Sequence, residues 1–310
     1  MQFPFQLASG REFDCVGFGT NAVDYLIEVP EYPAFNSKVE LNSYKQAAGG
    51  EVATTMVGLK RLGLSAAYIG RFGDDPAGEF GLRSLTSEGV NTDHAQRIAG
   101  ANTQIAFIVI DARNGERTVI WQRDQKLSYS EAEAPVDVAR CAAVLHLTPH
   151  DARAATAMAR AAREAGTIVS IDVDNVFDGI EDLLPLVDIL IASAEFPARL
   201  FGIADHRQAL PEMVRRYGCK LAGVTLGVEG SLLYADGRFI ESPAHSVPGG
   251  CKDTTGAGDA YRVGIIYGLI KGASIDEAAK YANAVAALKC RSLGARTALP
   301  TESELLDFIA

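Results

Sequence analysis

The chain reads as an α/β protein whose mostly parallel sheet is covered by helices on both faces. Three observations predict this. Short apolar runs alternate with helical patterns in regular order through the second half of the chain. No repeat, low-complexity segment or Pro/Gly/Ser linker divides the 310 residues, so a single domain over 1–310 is expected. Two β-rich stretches fall outside that rhythm and predict a second, smaller sheet inserted in the α/β core.

Taken in order, the first off-rhythm stretch is residues 24–45. EVATTMVGLKRLG (51–63) follows, with Val52, Met56, Leu59 and Leu62 on one helical face and Gly63 to end it. The second off-rhythm stretch, 101–124, carries QIAFIVID and RTVIWQ joined by the turn-like ARNGE. AAVLHL (142–147) reads as a buried strand, and DARAATAMARAAREAG (151–166) as an alanine-rich helix stopped by Gly166. TIVSIDV and VDILIA (187–192) are the next strands, then a helix near 207–217 and the strand LAGVTL (221–226). SLLYADGRFI reads as a hairpin, and Ser274 with Glu277 as a capping box for a helix through Tyr281, Val285 and Leu288.

Composition excludes several functions. The net charge is −10, and no Lys/Arg cluster exceeds a pair such as Arg215-Arg216, which argues against a nucleic-acid partner. Five scattered cysteines without a CxxC pair fit neither a disulfide framework nor a zinc site, but suit a reducing compartment. MQFPFQLASGREF lacks the features of a signal peptide, and no apolar run approaches a membrane span. A cytoplasmic protein with no membrane partner is expected.

KDTTGAGDAY (252–261) is the most informative stretch. A loop of small residues running into a helix presents backbone N–H groups unobstructed by Cβ atoms, at the positive end of the helix dipole. The amides of Gly256, Ala257 and Gly258 would meet an anion there. Asp259 beside that anion is poor electrostatics for simple binding. It makes sense if the carboxylate accepts a proton from a hydroxyl attacking phosphorus, while the loop stabilises the transferring phosphoryl group.

DTTGAGDAY closely resembles the C-terminal signature of the ribokinase-like (PfkB) sugar kinases. AGGEVATTMVGLKRLG followed by GRFGDDPAG resembles that family's other signature, about 200 residues earlier. The resemblance spans about Asp14 to about Pro300. It implies a three-layer α/β fold with a β-sheet lid, formed here by roughly 24–45 and 101–124. It also implies transfer of the γ-phosphate of ATP, with Mg2+, to a hydroxyl of a small sugar, usually its CH2OH. Position by position, Asp259 resembles the catalytic base and Gly256, Ala257 and Gly258 the anion hole. Asn21, Asp24, Gly49 and Gly50 would hold the sugar. Thr225, Gly227, Gly230 and Asn283 would lie near ATP. A monovalent cation such as K+ is implied for backbone around Asp253 and Thr255. A homodimer through the lid is expected, since unpaired strand edges invite pairing.

The chain departs from the pattern in places. Thr54 stands where many members carry a sugar-binding asparagine, and DILIASAEFPARLFG lacks the asparagine of the usual Asn-x-x-Glu segment. Ser193 falls near its place, leaving Glu195 as an indirect influence on the metal. Val263 precedes Gly264 where a glycine usually comes one residue earlier. These differences resemble a divergent sugar-kinase or ketohexokinase-like branch. His150, beyond a strand end, and Arg117, on the lid, are further candidates to meet ligands, although a solvated arginine is the simpler reading. Alternatives are a nucleoside kinase of the same fold and a nucleotide- or sugar-binding sensor of weak catalytic power. A dehydrogenase is another, because Gly17, Gly19 and Ala22 have GxGxxA spacing, with Glu40 further on. It would need a helix from about Thr20.

Overall fold

The computed structural model describes residues Met1–Ala310. Eight strands form the central sheet, in spatial order Ala66–Ile69, Phe13–Phe18, Ala142–Leu147, Ile168–Val173, Ile189–Ser193, Leu221–Thr225, Ser231–Ala235 and Arg238–Ser242. The first six run parallel, and the last two turn back antiparallel at one edge. Successive side chains of a strand point to opposite faces, so neighbouring residues serve two different cores. Val144, Ile168 and Ile189 pack on the side of helices Glu51–Arg61, Ala257–Ile270 and Ile275–Lys289. Leu145, Val169 and Leu190 pack on the side of helices Ala152–Glu164 and His206–Tyr217. The result is the expected three-layer α/β architecture. Ser274 and Glu277 form the anticipated capping box, which fixes where the late helix starts.

A separate four-stranded sheet runs in the order Ser43–Gly49, Ala22–Val29, Ile105–Asp111, Arg117–Gln122. The stretch 101–124 supplies a hairpin to it, but 24–45 does so only at its ends. Residues 30–42 hold no strand, because Pro30 and Pro33 offer no N–H to a ladder. Strand alternation gives this sheet two unlike faces. Asp24, Ala106, Ile108 and Arg117 look into a cleft. Tyr44, Tyr25 and Phe107 stack outside it, with ring centroids 6.2 and 5.2 Å apart. Ala22–Val29 being a strand also removes the helix that a dinucleotide fingerprint at Gly17 requires.

Candidate active site

The cleft has a volume of about 720 Å³ and lies beyond the carboxyl ends of the parallel strands. Thr20, His150, Asp174, Ser193 and Thr225 reach it from the ends of five of them or just past those ends. A parallel sheet places ligands there because each strand's connection opens outward at that edge.

Asp259 stands on the cleft wall in the first turn of the helix Ala257–Ile270. The turn before it depends on Gly256, whose φ of +77° is a left-handed conformation. Any Cβ there would press into Ala295. Of the three amides expected to meet an anion, one is already engaged. Ala257 donates its N–H to the Thr254 carbonyl at 3.1 Å. The N–H groups of Gly256, Gly258 and Asp259 have no acceptor within the chain, as the first turn of a helix leaves them.

Beside Asp259 lies a carboxylate absent from the sequence reading. Asp172, from the strand Ile168–Val173, is buried and pairs with the buried Arg262 at 2.7 Å. Arg262 also donates to the Ile191 carbonyl at 3.0 Å, which fixes it between two strands. Burial and the neighbouring Asp172 push the Asp259 carboxyl up to about 8, against the pull of Arg262 and Arg117. Burial raises Asp172 as well, and it shares a hydrogen bond with Asp259. Each carboxylate therefore makes the other harder to ionise, and Arg262 offsets part of that cost. The signal for Arg262 was in the sequence: it is the one charge inside the apolar run AYRVGIIYGLI.

Glu51, which opens its helix directly after Gly50, lines the cleft and accepts a hydrogen bond from Thr20 at 3.1 Å. Burial raises it well above the usual carboxylate range, reinforced by Asp172, Asp259 and Asp174. His150 sits 3.5 Å from it. Burial pushes that imidazole down to about 4, so it faces Glu51 as a neutral ring. His150 also packs on Phe177 at 4.8 Å and edge-on to Trp121 at 6.2 Å, making one wall of the cleft aromatic.

The expected sugar-side residues divide into two groups. Asp24 and Gly50 line the cleft, and burial raises Asp24 to about 7 against the attraction of Arg296. Gly49 lies behind Asp24, where a Cβ would collide with the carboxylate. Asn21 and Thr54, by contrast, do not face the cleft. The Asn21 amide is turned away to the Tyr68 hydroxyl at 2.7 Å and the Arg71 carbonyl at 3.0 Å. Thr54 is fully buried and accepts from Arg296, which also holds the Gly49 carbonyl and the Ser84 hydroxyl. Arg296, missed in the sequence, thus braces the backbone behind Asp24.

At the other end, Thr225, Gly227 and Asn283 line the cleft. The Asn283 amide is already held by Ser231 and by Ser242. Gly230 is outside the cleft, and its missing Cβ lets the chain pass the Ser242 carbonyl. Glu195 is a second correction: it is exposed at the start of the short helix Phe196–Phe201 and does not line the cleft, whereas Ser193 does. Arg117 is solvent-exposed, as the simpler reading has it, but it does not point away from the cleft. It lines the cleft and donates to the Thr254 hydroxyl at 2.9 Å, tying the small sheet to the glycine loop. Thr255 lines the cleft, whereas Asp253 lies behind the loop, its buried carboxylate accepting the Thr255 N–H at 2.8 Å.

A carboxylate beside unpaired helix-start amides, on the open edge of an α/β sheet, defines a phosphotransferase with an alcohol as acceptor. The chain belongs to the pfkB family of carbohydrate kinases, whose description matches residues 14–302. It is 30% identical to Fructokinase-1 of Oryza sativa subsp. japonica, over 97% of this chain and 99% of that protein. It is 26% identical to a nucleoside kinase of Methanothermobacter thermautotrophicus, over 94% of each. Its fold superposes on Arabidopsis thaliana ribokinase, solved with ribose and ATP, with a TM-score of 0.80 at 22% identity over 96% and 98% of the two chains.

Proposed function

We propose that this kinase transfers the γ-phosphate of ATP to a primary hydroxyl of a small sugar. The observation that carries the reading is Asp259 standing beside the unengaged amides of Gly256 and Gly258. Asp259 takes the proton of the acceptor hydroxyl, and the amides meet the charge of the transferring phosphoryl group. Asp24, whose carboxylate lines the cleft without a hydrogen-bond partner, orients the sugar. ATP lies along Thr225, Gly227 and Asn283, and the four-stranded sheet closes over the acceptor as a lid.

No three acidic, histidine or cysteine side chains converge as a ligand set for a metal. Mg2+ bound mainly by phosphate oxygens and water fits that arrangement, and Glu51 and Asp174, among the acids of the cleft, would hold it through water. Burial first and the repulsion of Asp172, Asp259 and Asp174 second raise Glu51, and a cation would relieve that repulsion. When bound, the ion neutralises phosphate charge. The unpaired cysteines suit a reducing, cytoplasmic compartment.

ATP consumption with Mg2+ and a panel of sugars and nucleosides tests the reading, with the product located by phosphorus NMR. Turnover with a sugar is expected. ATP binding without turnover on any acceptor would replace the kinase with a sensor. A nucleoside acceptor is the second reading, favoured by Trp121, His150 and Phe177, whose rings would stack on a base.

The outer face of the lid carries Tyr44, Phe107 and Ile120, which are 57%, 43% and 59% exposed. Such a stripe suits a second copy of this chain. Light scattering at micromolar concentration should give a dimer, and Phe107→Lys should give monomers; a monomeric native protein would refute the pairing.

A further inference from the structure

Lys289 is the last residue of the helix Ile275–Lys289 and is completely buried. A basic residue in a last turn ordinarily meets the helix dipole from the surface, with its ammonium in water. Here the ammonium points inward to the loop that precedes the anion site. It donates to the Asp253 carbonyl at 2.6 Å and lies 3.9 Å from the Asp253 carboxylate. The carboxylate is fully engaged on its other sides, one oxygen accepting the Thr255 N–H at 2.8 Å and the other the Gly294 N–H at 2.7 Å. Burial lowers the lysine pKa and the Asp253 charge works against that.

The loop therefore has two electrically opposite sides. Its amides at Gly256 and Gly258 face the cleft, while carbonyl and carboxylate oxygens of Asp253 face the protein interior. A positive charge on the interior side holds those oxygens together and strengthens the field that the amides present to an anion. A potassium ion coordinated by Asp253 would share its carbonyl and carboxylate oxygens with the Lys289 ammonium and be repelled by that like charge. The residues present do not fit that ion.

We propose that Lys289 acts as a built-in cation for the phosphate loop, a positioning residue that leaves this kinase indifferent to monovalent metal ions. The inference rests on the reading of the loop as the site of the ATP phosphates. Two measurements separate them: ATP affinity by calorimetry and thermal unfolding without nucleotide. Both are made in the chlorides of choline, sodium, potassium and caesium at equal ionic strength. The native protein should show the same affinity and the same Tm in all four. In choline chloride, Lys289→Met should bind ATP about tenfold more weakly or worse, and potassium should restore part of that loss.

Potassium tightening ATP binding to the native protein about tenfold over choline, or raising its Tm by several degrees, would overturn the proposal. So would a Lys289→Met protein with native affinity in choline, or a loss that potassium does not relieve. Should that variant fail to fold, the native series decides alone. Absence of ATP binding in every salt would sink the nucleotide reading, and the unfolding series would still report on the cation.

Discussion

Asp259→Asn is expected to lower kcat by about a thousandfold while leaving ATP affinity near native and making the fold more stable at pH 8. The loss follows from its position: no other carboxylate on the cleft wall stands at the start of the amide-bearing helix. A positioned general base contributes about 10²–10⁴ in rate, and asparagine retains the shape without the proton affinity. The gain in stability follows from linkage. The carboxyl titrates near 4 in an unfolded chain and at about 8 here, so folding takes up a proton. Its ionised form opposes folding increasingly as pH rises from the first value to the second, and the penalty is complete above pH 8. Because the side chain still touches solvent in the cleft, removal of the charge should stabilise by only about 1 kcal/mol. Turnover with the acceptor found in the panel, calorimetry of ATP binding, and urea unfolding at pH 5 and pH 8 check the three parts. Near-native kcat would sink the mechanism, and equal stabilisation at both pH values would sink the account of the proton.

Arg262→Met should destabilise the protein by about 3 kcal/mol and move the acid limb of kcat/KM to higher pH. Asp172 and Arg262 form a buried pair, and removing one partner strands the other's charge. Arg262 lowers the pKa of both Asp172 and Asp259. Without it both acids hold protons more tightly, and the base is released only at higher pH. Asp172→Asn has the opposite sign at Asp259, since it removes the repelling carboxylate, and the acid limb should move down. A pair of pH–rate profiles distinguishes these shifts from simple loss of folded protein, which lowers amplitude without moving the limb. Identical limbs in the two variants would show that Asp172 and Arg262 play no part in setting the base.

The chemistry that the sequence disclosed was local. The proposed anion site is continuous in the chain, from Gly256 to Asp259, so its loop and helix start are readable together. Asp172 was not readable, because it reaches Asp259 only through the order of strands in the sheet. Asn21 and Asp24 differ for a similar reason. The strand begins at Ala22, so Asp24 follows its alternation toward the cleft, while Asn21 precedes it and turns to Tyr68. Thr54 is on a helical face that the fold buries completely, a fact that spacing alone does not distinguish from facing a ligand. Lys289 looks like any basic helix end; only the packing of the following turn, through Gly294, reveals that it points inward. The strand-forming stretch 24–45 was legible at its ends, whereas its two prolines marked a gap that its overall composition concealed.

The raised proton affinity of the Asp172–Asp259 pair bears on how the protein idles. Water fits wherever a sugar hydroxyl fits, and a kinase with a ready base would hydrolyse ATP whenever its acceptor is missing. If Asp259 is the base, burial and Asp172 raise its carboxyl and make it a less ready acceptor for a stray water near neutral pH. On the proposed mechanism the same pairing would hold down such leakage, which should grow as the medium becomes alkaline.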